Sequence, residues 1–419
     1  MGSRQAFRTL PGMVLFAVAV AVGGFAQNPP AEQVSRDLRN ATTEFTELTP
    51  RGHVSLGLHA ASPGSREIDS LLNFSGQFQS SGVDDNGKKR RIWKYNMAGR
   101  SPQEGGTTII DAPIVPVSLD LLNYDGNGHT LHDSVVPFIL PTVYSPIFQS
   151  WTYSSSDMPT QIIDAELRAE FYNTMKPNWH TLLNPSVKMV RTMSLPAGSY
   201  YYQLKRDGRC CEYVLVDSKV FANLLFPPIP ADTTTPVGAA ENAGEITTKD
   251  IATFLFPNTY LYEGDPSNCC VLGYHTYDYE PGEAGNGYAE KRYVLNFSSW
   301  ISSGLFGDGV EDVTATSHEL AESFNDPFVV SDSVHNLTPW WLSPNGNCQD
   351  DLEVGDVIEG LPMDVYPITM NGRTYHPQNV ALLQWFAFES PSSALGGAYS
   401  YPDPNTLTSL SPRQAANCK

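Results

Sequence analysis

Apolar residues recur along this chain at three spacings, and each predicts a different kind of element. The first is an unbroken run from Met13 to Val22, preceded by Arg4 and Arg8 and followed by Gly24-Phe25-Ala26. A basic start, an apolar stretch and small residues at the cleavage positions predict a secretory signal peptide over residues 1–26. A membrane-spanning helix needs about 20 apolar residues, and this run is too short. The second spacing is helical. Ile163, Leu167 and Phe171 form one stripe between Pro159 and Pro177, which predicts a helix over 159–175. Residues 132–148 read as partly helical, 247–255 as a short helix, and 308–326 as the second strong helix. In the last, Asp308 and Glu311 make a capping-box-like start and Pro327 enforces the stop.

The third pattern is β. Runs broken by Pro and Gly between Trp93 and Leu122 predict strands and turns at the start of the core. Further strands are expected near 198–204, 212–216, 259–263, 270–279 and 289–298. Val365 to Met370, Asn371-Gly372 and Arg373 to His376 read as a two-residue hairpin. Helices and strands mix without strict βαβ alternation, so the expected class is α+β with a mixed sheet. Residues 27–105 read as a partly ordered extension or leader, and Lys88-Lys89-Arg90-Arg91 within it as a solvated turn. Residues 106–419 form the predicted α+β domain, with a surface loop or linker at 227–244, where Pro, Thr and Ala dominate.

Composition narrows the function. The 419 residues carry 45 acidic against 26 basic side chains, a formal charge of -19. That excess excludes nucleic acid as a partner, because phosphate surfaces demand clustered Lys and Arg. It suits hard cations. No later stretch is apolar enough to span a bilayer, so no membrane anchor is expected after signal cleavage, and the chain should be secreted or periplasmic. All six cysteines lie beyond the signal, which reads as a disulfide-stapled, loop-rich fold. Adjacent residues on a strand point to opposite faces, so one bridge is expected between the 210/211 and 269/270 pairs. Cys348 and Cys418 would then bond elsewhere.

The chemistry concentrates in "GDGVEDVTATSHELAESFNDPF". Residues four apart share a helix face, so His318 and Glu322 project together with Glu319 beside them. This is the layout of the H-E-x-x-H zinc-protease helix, with Glu322 in place of the second His. Zinc accepts imidazole nitrogen and carboxylate oxygen, and a catalytic site needs three protein ligands. His318 and Glu322 are therefore candidate ligands, and Glu319 is the candidate general base that takes a proton from an activated water. Zinc is the expected ion. The added carboxylate widens the choice towards manganese, iron or calcium. For the third ligand the order is Glu353, then Asp356, Asp326 and His275. The first two lie in "NCQDDLEVGDVIEG", where strand alternation would aim Asp351 and Glu353 at one face. The alternative reading leaves Glu319 and Glu322 facing solvent beside a hydrogen-bonded His.

"TSHELAESFNDP", preceded by "CCVLGYHTY" and followed by "CQDDLEVGD" and "MNGRTYHPQNVALLQWF", resembles secreted bacterial proteins that carry an S-H-E-[LI]-A-E…DP helix. The shorter core is similar to that of the plant Exordium, or phosphate-induced, extracellular proteins. It comprises Ser317, His318, Glu319, Leu320, Glu322, Asn325, Asp326 and Pro327. The resemblance implies secretion and a zincin-like metallopeptidase relationship, and brings no established substrate; the peptide or protein substrate is the expectation of the hydrolase reading itself. The alternative is a non-catalytic extracellular protein in which the same residues form a structural metal site, a relic active site or a buried hydrogen-bond network beneath a binding surface.

Overall fold

The computed structural model describes residues 69–79, 92–153, 158–204, 211–267, 269–282, 290–307, 309–329, 341–346, 348–349 and 352–410. The expected signal peptide and the basic cluster at 88–91 lie outside them. Two antiparallel strands, β1 (Asn73–Gln79) and β2 (Ile92–Ala98), come first. Although they fall in the segment assigned above to an extension, Met97 and Ala98 are buried in the main core.

The architecture is α+β, organised by one long strand, β3 (Thr107–Leu122). Along its first half β3 pairs in parallel with β5 (His180–Val187), then with β9 (Ile251–Pro257). Along its second half it pairs with β4 (Thr130–Asp133) and β6 (Arg191–Leu195). Beyond β9 the sheet continues through parallel β13 (Lys291–Trp300) to antiparallel β12 (Gly273–Glu280), giving seven strands of mixed direction. A second sheet holds β7 (Tyr200–Leu204), β8 (Glu212–Asp217), β10 (Thr259–Tyr262) and β11 (Cys269–Val271).

Alternation along the strands sends side chains to two cores. Ile110, Ala112 and Ile114 of β3 meet α2 (Ile162–Glu170) and α5 (Thr314–Asn325) on one face. Val115, Val117, Leu119 and Leu121 meet α3 (Ser218–Leu225) and α4 (Pro236–Asn242) on the other. Helix α1 (Val136–Val143) follows β4, and the short elements β14 (Trp341–Leu342) and β15 (Cys348–Gln349) follow α5. A hairpin of β16 (Ile368–Met370) and β17 (Arg373–Tyr375) then leads to β18 (Val380–Ala381), α6 (Leu383–Phe386) and β19 (Ser400–Tyr401). Asn371 and Gly372 turn that hairpin with φ of 53° and 78°, as a type I′ turn requires. Among the described residues no helix is long and apolar enough to cross a membrane.

Three expectations need correction. Residues 251–257 form the buried strand β9, where a helix was expected: "IATFLFP" is apolar on both faces because both faces of the sheet are covered. Residues 227–244 are no simple linker. They contain α4, capped by Thr235 and anchored by buried Val237 and Ala240. Cys269 and Cys270 are disulfide-bonded to each other, which uses both thiols and leaves neither for the predicted cross-link to the 210/211 pair. Cys211 is also disulfide-bonded. Cys210 and Cys418 lie outside the described residues.

Candidate metal centre

Helix α5 begins at Thr314, later than expected, because Asp312 interrupts the approach. That residue is left-handed (φ 48°), and its carboxylate is committed to His376 Nδ1 at 2.8 Å, His376 N at 2.9 Å and Val313 N at 2.6 Å. Asp308, the expected cap, lies outside the described residues. At the other end Asp326 is the C-cap and Pro327 prevents a further turn. All twelve residues of α5 are buried, and the helix packs on β2, β12 and β13. Leu320, Ala321 and Phe324 join the core. The alternative reading, with Glu319 and Glu322 in solvent, therefore does not hold: His318 and Glu319 are 0% exposed and Glu322 1%.

These three residues meet two other parts of the chain. His275 comes from β12, Glu353 from irregular chain and Asp356 from the turn that follows it, where a strand was expected. His318 Nε2 lies 3.1 Å from Glu322 Oε2, 3.4 Å from Asp356 Oδ1 and 4.0 Å from Glu319 Oε1. His275 Nδ1 lies 3.3 Å from Glu322 Oε2, 3.8 Å from Glu353 Oε2 and 3.9 Å from Glu319 Oε2. Glu322 Oε1 accepts the Gly355 and Asp356 main-chain N–H groups at 3.0 and 3.3 Å, which pins the turn to the helix. Glycine is required at two contacts. A Cβ on Gly273 would collide with the Glu319 carboxylate, and one on Gly355 with the His318 ring.

The tautomer of His318 follows from its neighbours. Gln378 Nε2 donates to Gly355 O at 3.0 Å, so Gln378 Oε1 is the atom 2.8 Å from His318 Nδ1 and must accept its proton. Gln378 is itself held by its N–H to Ser317 Oγ at 2.9 Å. Nε2 is thereby aimed at the Glu322 and Asp356 oxygens, and either carries a proton to them or shares a cation with them. This outer hydrogen bond, fixing ring and tautomer, is the usual support of a metal-binding histidine. Neither Glu319 oxygen accepts a hydrogen bond from the described residues.

Electrostatics follow from burial and charge together. Burial opposes ionisation of His318, but the Glu322 and Glu319 carboxylates outweigh it and hold the imidazole pKa well above its ordinary value. Burial pushes Glu319 well above the usual carboxylate range, only partly offset by His318. Asp356 is lifted to about 7 by burial, against the lowering hydrogen bond from His318. Glu322 alone is lowered, since His318 and His275 overcome the cost of its burial. A divalent cation would relieve the same strain, because buried charges persist only when paired or ligated.

The fold thus brings together His318, Glu319, Glu322, Glu353, Asp356 and His275, the last-ranked of the expected third ligands. Two overlapping sets, His275 with Glu322 and Glu353, and His318 with Glu319 and Glu322, each keep their ligand atoms within 4.8 Å. Asp326 and Asp356 belong to neither set, although Asp356 Oδ1 lies 3.4 Å from His318 Nε2. Sequence reasoning missed Gln378, Gly273 and Gly355, whose roles depend on contacts 23 to 60 residues apart or on the space around them. No family model, curated protein or solved structure matches the chain.

Proposed function

We propose that this chain is a secreted, zincin-like metal-dependent hydrolase acting on peptides. In this reading His318 and Glu322 hold a divalent ion, most naturally zinc, with Asp356, Glu353 and His275 completing its surroundings. The donor set of imidazole nitrogen and carboxylate oxygen fits zinc, manganese or iron. Such an ion supplies Lewis acidity and a more acidic water. Glu319 supplies the proton chemistry. Its carboxylate lies beside the ligand atoms, accepts no hydrogen bond from the described residues, and is raised in basicity by burial. It can take a proton from the attacking water and return it to the leaving amine. Gln378 keeps His318 Nε2 turned inward throughout. The observation that carries the reading is the aim of that nitrogen, at 3.1 and 3.4 Å from two carboxylate oxygens.

The deep burial of the cluster favours a second reading, a structural metal site in a non-catalytic extracellular protein. The side chains with some exposure are Glu353 and Asp356, at 7% and 11%, so substrate would approach from their turn. Digestion of a fluorescent casein by the purified chain, with and without chelator and beside Glu319→Gln, separates the two. Hydrolysis that needs the ion and falls about 10²- to 10⁴-fold in the variant supports catalysis. An ion-replete protein that cleaves neither casein nor a mixed peptide library supports the structural role.

A further inference from the structure

Glu322 serves both ligand sets at once. One atom is common to the close contacts: Glu322 Oε2 lies 3.3 Å from His275 Nδ1 and 3.1 Å from His318 Nε2. Its sister oxygen is held by the Gly355 and Asp356 N–H groups, so the carboxylate cannot turn to favour one imidazole. Metal–ligand bonds of about 2.0–2.2 Å set neighbouring ligand atoms about 3.0–3.5 Å apart. The contacts of Glu322 Oε2 with both imidazoles fall in that range, as does the 3.4 Å from His318 Nε2 to Asp356 Oδ1.

We propose that this cluster is a dinuclear centre, taking two divalent transition-metal ions bridged by Glu322 Oε2. One ion is held with His275 and Glu353, the other with His318, beside which Asp356 Oδ1 lies at 3.4 Å. The inference rests on the reading above that the cluster binds metal. Charge argues for the second ion. Glu319, Glu322, Glu353 and Asp356 are all buried, and these carboxylates, once ionised by ligation, would offset the charge of two divalent ions. One imidazole and two carboxylates around each ion suit manganese, iron and zinc alike. Glu319 completes the picture, with one oxygen 3.9 Å from His275 Nδ1 and the other 4.0 Å from His318 Nε2. A single base placed between both ligand sets is where a two-metal hydrolytic site needs one.

The test is stoichiometry. The purified chain is stripped with EDTA, dialysed to saturation against zinc chloride or manganese chloride, and its metal counted by elemental analysis. Two ions per chain are expected in the wild type, one each in His275→Gln and His318→Gln, and none in Glu322→Ala. A wild-type count of one, abolished by either histidine variant, overturns the dinuclear centre while the metal-dependent reading stands. A count of zero overturns both. Should the variants fail to fold, electron paramagnetic resonance of the manganese-saturated wild type still decides. Two bridged ions couple and lose the hyperfine pattern of an isolated manganese, whereas persistence of that pattern at saturation overturns the proposal.

Discussion

Gln378 sets which nitrogen of His318 faces the carboxylates, through a 2.8 Å hydrogen bond to Nδ1 and a 3.0 Å bond to Gly355 O. Outer hydrogen-bond partners of this kind contribute about 10- to 100-fold in metal affinity. Gln378→Leu should therefore lose about that much affinity for zinc while the protein stays folded, as read by competition with a chromogenic chelator. Unchanged affinity would mean the ring is oriented by packing alone. The two contact glycines separate binding from catalysis. Gly355→Ala crowds the His318 ring and should weaken ion binding. Gly273→Ala crowds the Glu319 carboxylate and should lower hydrolysis more than ion content. Equal effects of the two on metal content would contradict the separate roles assigned to His318 and Glu319.

At the scale of elements, helix α2 carries a second, independent titration. Glu166 and Glu170 share a face, and both are buried. Burial raises Glu170 from its ordinary 4.5 to about 8, with the Leu383 N–H only partly offsetting it. The folded chain thus holds a proton that the unfolded chain releases between those values. Stability from this group is intact below about pH 4.5 and is lost as pH rises through about 8. Glu170→Gln, neutral at every pH, should remove on the order of 3–5 kcal/mol of that decline between pH 5 and 8. Urea midpoints of the two proteins across that range check it, and parallel profiles would contradict it.

The stripe of Ile163, Leu167 and Phe171 made α2 legible by its period, although burial does not follow it: every residue of the helix but Arg168 is buried, Asp164, Glu166 and Glu170 included. The same reasoning failed at β9, where an apolar run buried on both faces has no period to read. It also placed the start of α5 too early. The Asp312 carboxylate is engaged by His376, a partner 64 residues away that no local pattern reveals. For the site, the i, i+4 pair His318 and Glu322 was visible, as were the acidic residues Glu353 and Asp356. His275 was visible as a candidate but ranked last, since its place in the cluster depends on β12 lying beside β13 under α5.

On the scale of the whole molecule, the centre joins β12, α5 and the turn at 353–356, segments far apart in sequence. An ion held there binds the folded chain and not the unfolded one, so it stabilises by mass action. At about 100 times its dissociation constant that amounts to about 2.7 kcal/mol. EDTA treatment should lower the melting temperature, zinc should restore it, and Glu322→Ala should respond to neither. A melting curve indifferent to chelator and zinc in the wild type would separate the cluster from stability.

The most direct measurement is calorimetric titration of zinc into the chelator-stripped chain, with Glu322→Ala as the partner experiment. Saturable binding at a whole-number stoichiometry, abolished in the variant, is the predicted result. No saturable binding by the folded wild-type protein would show that the buried imidazoles and carboxylates neutralise one another with protons alone, and the proposed chemistry would fall with it.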